Sequence, residues 1–209
     1  MSDEFLTISS TGEGYYTEKR SKFLAWAHHV ESTDEVKALL ADYRKRYYDA
    51  RHVCYAYMLG PERQEYRAND DGEPSSTAGK PILGQINSAE LTDILVVVVR
   101  YYGGVNLGTS GLIVAYREAA ALAIADAKKE SRQVEELVSY DFLYPMMNSV
   151  MRVVKDMEPR IVSQVYDMGG TGDVNNITGG YTCRITLAIR RSMAEQLRQR
   201  LAKLSFEDK

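Results

Sequence analysis

The residues best suited to chemistry lie between Asp93 and Ala127. An apolar run with four consecutive valines, Val96 to Val99, ends at Arg100. Tyr101 and Tyr102 follow, then Gly103, Gly104, Gly108 and Gly111. A β-branched run of this kind suits a strand buried on both faces. After Gly111 the period changes, and Leu112, Ala115, Tyr116, Ala119, Leu122 and Ala123 recur at helical spacing. The stretch reads as a buried strand, a glycine-rich loop and a long Ala-rich helix. A helix that opens from such a loop points free amides and its positive dipole end at whatever occupies the loop. The chemistry this implies is anion binding by the backbone of Gly103, Gly104, Gly108, Thr109, Ser110 and Gly111, with Arg100 as a cation. The glycines have a plainer use as well: Gly103 and Gly104 as a tight turn, and Gly111 for helix–strand packing.

A second polar stretch, Asn69 to Pro81, is rich in turn formers and lacks periodicity, so it reads as one long loop. Asp70, Asp71 and Glu73 offer carboxylates, Ser75, Ser76 and Thr77 offer hydroxyls, and Lys80 offers a point charge for phosphate. The acids are irregularly spaced and read as solvated loop residues rather than a cation site. Two nucleotide motifs are excluded. Lys80 is followed by Pro81 where a phosphate loop needs Ser or Thr, and Gly103-Gly104 with Gly108 does not fit the dinucleotide fingerprint. His52 and Cys54 share one face of a strand, but positions two apart stand about 7 Å from each other, longer than a nucleophile–base hydrogen bond wants. The spacing of His and Cys fits no zinc site. The residues assign no catalytic group, metal or cofactor.

The elements that would position these groups follow in order. Phe5 to Ser9, Lys22 to Val30 and His52 to Leu59 read as strands. Ser32 and Glu35 form a capping box for a helix running to about Tyr48. Lys128-Lys129-Glu130-Ser131 breaks the apolar pattern and marks a domain boundary. Beyond it the pattern is β-α-β-β-α: a strand around Val138, a helix after Pro145, a strand from Arg160, a glycine-rich loop from Gly169 to Gly180, and a strand around Ile185. A last helix is capped by Ser192 with Glu195.

With 209 residues and 44% hydrophobic content the chain can bury a sizeable core. No apolar run is long enough to span a bilayer, and the acidic start MSDEFLTISS lacks the features of a signal peptide, so a cytoplasmic location is expected. The two cysteines, Cys54 and Cys183, are expected to be reduced. A net charge of −3 excludes a strongly basic nucleic-acid binder but not a local basic patch.

The motifs Asp70-Asp71-Gly72-Glu73-Pro74-Ser75, Thr77-Ala78-Gly79-Lys80-Pro81, Arg100-Tyr101-Tyr102-Gly103-Gly104, Leu107-Gly108-Thr109 and Gly111-Leu112 resemble the IMPACT family, and within it the bacterial YigZ group. Ser21-Lys22-Phe23 and His52 with Cys54, Tyr55, Ala56 and Tyr57 fit the same pattern. The resemblance implies an α+β protein of two domains. Residues 1–130 would carry the superfold shared by domain IV of elongation factor G, a ribosomal protein and the galactokinase-like kinases. Residues 131–209 would be a small ferredoxin-like domain resembling domain V of that factor. Eukaryotic relatives regulate translation by binding a larger regulator of an initiation-factor kinase. For bacterial members the resemblance implies nucleic-acid or ribosome binding. Four positions depart from the family's pattern: Ser76 and Ser110 stand in place of Gly, Asn106 in place of Lys, and Val114 in place of Arg.

The expectation is therefore a non-catalytic, translation-related binding protein that contacts RNA or the ribosome through the glycine-rich loop. One alternative is a nucleotide- or phosphate-dependent small-molecule enzyme, with Mg²⁺ on Asp70, Asp71 or Glu73. Another is a protein-partner adaptor using Tyr55, Tyr57, Tyr101 and Tyr102 as aromatic anchors. Oligomeric state is not determined by these residues.

Overall fold

The computed structural model describes residues 3–167 and 182–207. The glycine-rich loop expected from Gly169 to Gly180 lies outside the described residues. Chain contacts divide the protein into two compact units. One is Glu4–Arg132; the other is Gln133–Lys209 together with the first residues of the chain.

The first unit is built on an antiparallel five-stranded sheet of β2 (Gly12–Glu18), β3 (Ser21–His29), β4 (His52–Leu59), β5 (Glu65–Asn69) and β6 (Ile94–Tyr101), in the order β2-β3-β6-β4-β5. The valine run forms the central strand, and every residue from Ile94 to Val99 is fully buried. Alternation sorts the side chains into two cores. Phe23, Ala25, Ala27, Cys54, Ala56, Met58, Ile94, Val96 and Val98 pack against α2 (Gly79–Ser88) and α3 (Gly108–Asp126). Val53, Tyr55, Tyr57, Leu59, Leu95, Val97 and Val99 pack against α1 (Thr33–Arg46). Ser32 caps α1, its hydroxyl accepting from Glu35 N. A short β1 (Glu4–Ile8) pairs with β7 (Lys129–Gln133). The stretch expected to break the pattern at Lys128 to Ser131 is therefore largely strand.

The 69–81 stretch is not all loop. α2 begins at Gly79, so Lys80 and Pro81 lie in its first turn, where proline sacrifices no intrahelical bond. Periodicity missed this helix because it is only ten residues long and opens without a side chain of its own as cap.

In the second unit β8 (Glu135–Leu143) and β9 (Arg160–Asp167) flank β10 (Thr182–Arg190), which runs antiparallel to both. α4 (Met147–Met157) and α5 (Arg191–Glu207) cover one face, and Val138, Phe142, Val150, Ile185, Leu187 and Leu197 form the core. The Ser192–Glu195 capping box does not form, because α5 starts at Arg191, two residues earlier than that spacing requires, and Ser192 lies inside the helix. The Ser192 amide donates instead to the Asp3 carboxylate, which also pairs with Arg190.

Candidate functional site

A cleft of about 550 Å³ opens where β4 and β6 meet the start of α3. Its lining includes Arg51, His52, Glu73, Arg100, Tyr102 and Thr109.

The start of α3 forms one wall. Gly108 enters the helix at φ +71°, a conformation that favours glycine. The preceding residue, Leu107, is buried and offers no side-chain cap. The amides of Gly108, Thr109 and Ser110 therefore have no intrahelical acceptor, and these three residues are exposed. Gly103 serves a different end. A Cβ built on it would stand 2.1 Å from the Arg20 carbonyl carbon, so only glycine lets this turn lie against the β2–β3 hairpin. There Ser21 is fully buried, and its hydroxyl accepts from Gly103 N (3.2 Å) and Arg100 Nη2 (3.5 Å).

The floor is a buried polar network. Glu73 Oε1 accepts from Arg100 Nη1 at 2.5 Å and from the Tyr116 hydroxyl at 2.8 Å. His52 donates through Nδ1 to the carbonyl of Asp71 (2.7 Å), which leaves Nε2 3.8 Å from Glu73 Oε2. Cys54 Sγ lies 3.0 Å from the carbonyl of Asp70 and 3.3 Å from Tyr116 Oη. Burial pushes the Cys54 thiol up, away from the thiolate a nucleophile needs. Burial, then the neighbouring Cys54 and Glu73, push the Tyr116 phenol up as well. Arg100 is 6% exposed, and its Nε has no hydrogen-bond partner among the described residues. An unmet buried donor costs on the order of 1–3 kcal/mol.

The loop acids are not solvated. Asp70 accepts from the amides of Ser76, Ala78 and Gly79 and thereby caps α2. Asp71 accepts from Val53 N and Arg44, and Glu73 is buried. Each carboxylate is held by the protein's own donors, so the three do not converge on a common point. Among the described residues no group of three or more His, Cys, Asp and Glu could hold a metal ion. Thr77 is buried, its hydroxyl donating to the carbonyl of Pro74, while Ser75 is exposed. Ser76 takes φ +63°, which explains why glycine is the expected residue there.

Of the residues singled out for anion binding, the fold brings Arg100, Gly108 and Thr109 to the cleft lining, with Ser110 next in the helix. Lys80 is exposed and is not among the lining residues. Gly104, at φ +83°, and Gly111 are outside the lining too. Arg100 is spent on Glu73. Of the two cations that line the cleft, Arg51, exposed just before β4, is the one with no ion pair among the described residues, and the spacing of residues carried no signal for it. Tyr55 and Tyr57 are core residues, and only Tyr102 of the four tyrosines is half-exposed, at 50%.

Comparison with known proteins adds the following. Residues 19–124 match the family model described as the Impact N-terminal domain. An "IMPACT family member" of Haemophilus influenzae is 34% identical over 148 residues, which is 70% of this chain and 72% of that protein. The Escherichia coli "IMPACT family member YigZ" is 43% identical over 100 residues, 47% of this chain and 49% of that one. The crystal structure of a hypothetical protein superposes with a TM-score of 0.74 at 26% identity, covering 98% of this chain and 94% of its own. The chain belongs to the IMPACT family.

Proposed function

We propose that this protein is a non-catalytic, translation-related binding protein of the cytoplasm that contacts RNA or the ribosome through the cleft at the start of α3. The observation that carries the reading is the uncapped first turn of α3, opening beside the unpaired Arg51. Helix N-termini with a nearby arginine hold phosphate oxygens. The translation setting rests on the resemblance to the family. The finer fold reading is likewise a proposal: domain IV of elongation factor G for the first unit and a ferredoxin-like fold for the second. For the second unit it is supported by the split β-α-β order β8-β10-β9.

Filter binding of ribosomal RNA, transfer RNA and whole ribosomes across a salt series tests this. Retention should fall steeply with salt, and Arg51→Ala should weaken all RNAs alike while reducing the log–log salt slope by about one. Absence of retention at low salt removes the reading.

A further inference from the structure

The β2–β3 hairpin turns through Lys19 and Arg20, between the paired residues Glu18 and Ser21. Both turn residues hold a left-handed backbone, at φ +43° and +67°. Two positive φ angles in a two-residue hairpin loop mark the turn that Asn-Gly makes with least strain. Lysine and arginine carry a Cβ and a long stem, and are strained there. Strain of this kind persists where function keeps it. The fold gives these two side chains no use of its own. Both are exposed, and neither makes a side-chain hydrogen bond or ion pair among the described residues.

The turn is also fixed in place. Ser21 beside it is buried and accepts from Gly103 N and Arg100 Nη2. Two further exposed cations adjoin it. Lys22 stands opposite Tyr101 on the β3 side of β6, and Arg51 precedes His52, which stands opposite Arg100 on the β4 side. Neither has an ion pair among the described residues. The acids nearest in sequence, Glu18 and Asp49, accept from the hydroxyls of Tyr16 and Tyr101. Four cations thus surround the end of β6 in a chain whose net charge is −3. Unpaired positive charge gathered at one end of a sheet is complementary to a polyanion.

Deepening the RNA reading of the neighbouring cleft, on which it rests, we infer that the strained β2–β3 turn is a contact for the phosphate backbone. Lys19, Arg20 and Lys22 take phosphates of an RNA strand that runs on to Arg51. Contacts of this kind fix the position of a protein on nucleic acid without reading its sequence. Asn-Gly would relax the backbone and remove the charge, so the strain is what the contact costs the fold.

The experiment is filter binding of ribosomal RNA by the full chain across a salt series, paired with thermal melts. Lys19→Asn with Arg20→Gly should raise the melting temperature by about 2–4 °C. The same variant should weaken RNA and reduce the log–log salt slope by about two. Lys19→Gln with Arg20→Gln keeps the strain, so it should weaken RNA equally with no rise in melting temperature. Polyglutamate at matched charge concentration stands in for an acidic protein and should not displace the RNA. Unchanged affinity and slope in both double variants, with Arg51→Ala still weakening RNA, overturns the inference and leaves the cleft reading standing. A lower melting temperature in the Asn-Gly variant gives the two side chains a structural use and overturns the inference as well. Displacement by polyglutamate overturns the assignment to RNA. No retention of RNA by the wild type overturns both readings.

Discussion

Arg100 and Glu73 meet with both side chains buried, at 7% and 3% exposure, and share a 2.5 Å hydrogen bond. The central strand and the polar loop are thereby fastened to each other beneath the cleft.

Removing one partner leaves the other charged and buried. Arg100→Met alone should cost about 3–5 kcal/mol in urea unfolding, while Arg100→Met with Glu73→Leu should recover most of that loss. A single-variant cost near zero would mean that the pair does not hold the loop.

Two glycine substitutions should move stability in opposite directions. Gly103→Ala forces a Cβ to 2.1 Å from backbone carbon and should destabilise by about 2 kcal/mol or more. Gly84→Ala meets nothing within 4 Å on α2 and should stabilise by roughly 0.5–1 kcal/mol. Thermal melts of the two variants check the contrast, which fails if both shift the same way.

Ser76 holds a left-handed backbone at φ +63°. Ser76→Gly relieves that conformation and keeps the amide bond to Asp70, so a gain of roughly 0.5–1 kcal/mol is expected. Asp70→Ala removes the acceptor for three amides and should cost on the order of 2 kcal/mol. Denaturant midpoints read both. Loss of stability in the glycine variant would show that the serine side chain matters more than the backbone.

Burial, and then the charge of Arg46, hold the His28 imidazole below its ordinary value of 6.5. Its Nε2 lies 2.7 Å from the Tyr43 hydroxyl. Below the ordinary value the unfolded chain binds the proton more readily than the fold does, so acid favours unfolding. The contribution is complete above about pH 6.5 and is lost as the pH falls from there toward the folded value. Urea midpoints of the wild type should therefore drop more between neutral and mildly acidic pH than those of His28→Gln. Parallel curves would count against this linkage.

The sequence by itself determined what local pattern can encode. The valine run marked a strand buried on both faces, because β-branched residues without polar alternation have no solvent side. The change of period after Gly111 marked α3 and its open first turn. Ser32 marked the start of α1. Only the tertiary structure decided where charge ends up. Asp70, Asp71 and Glu73 look identical as loop acids, yet one caps a helix, one bonds a strand amide and one is buried against Arg100. Lys80 and Arg51 look equally free, yet only Arg51 lines the cleft. The physical reason is that periodicity reports the face of an element within a few residues. The partners of these three carboxylates stand 9, 18 and 27 positions away, beyond the reach of periodicity, and are met only once the chain has folded.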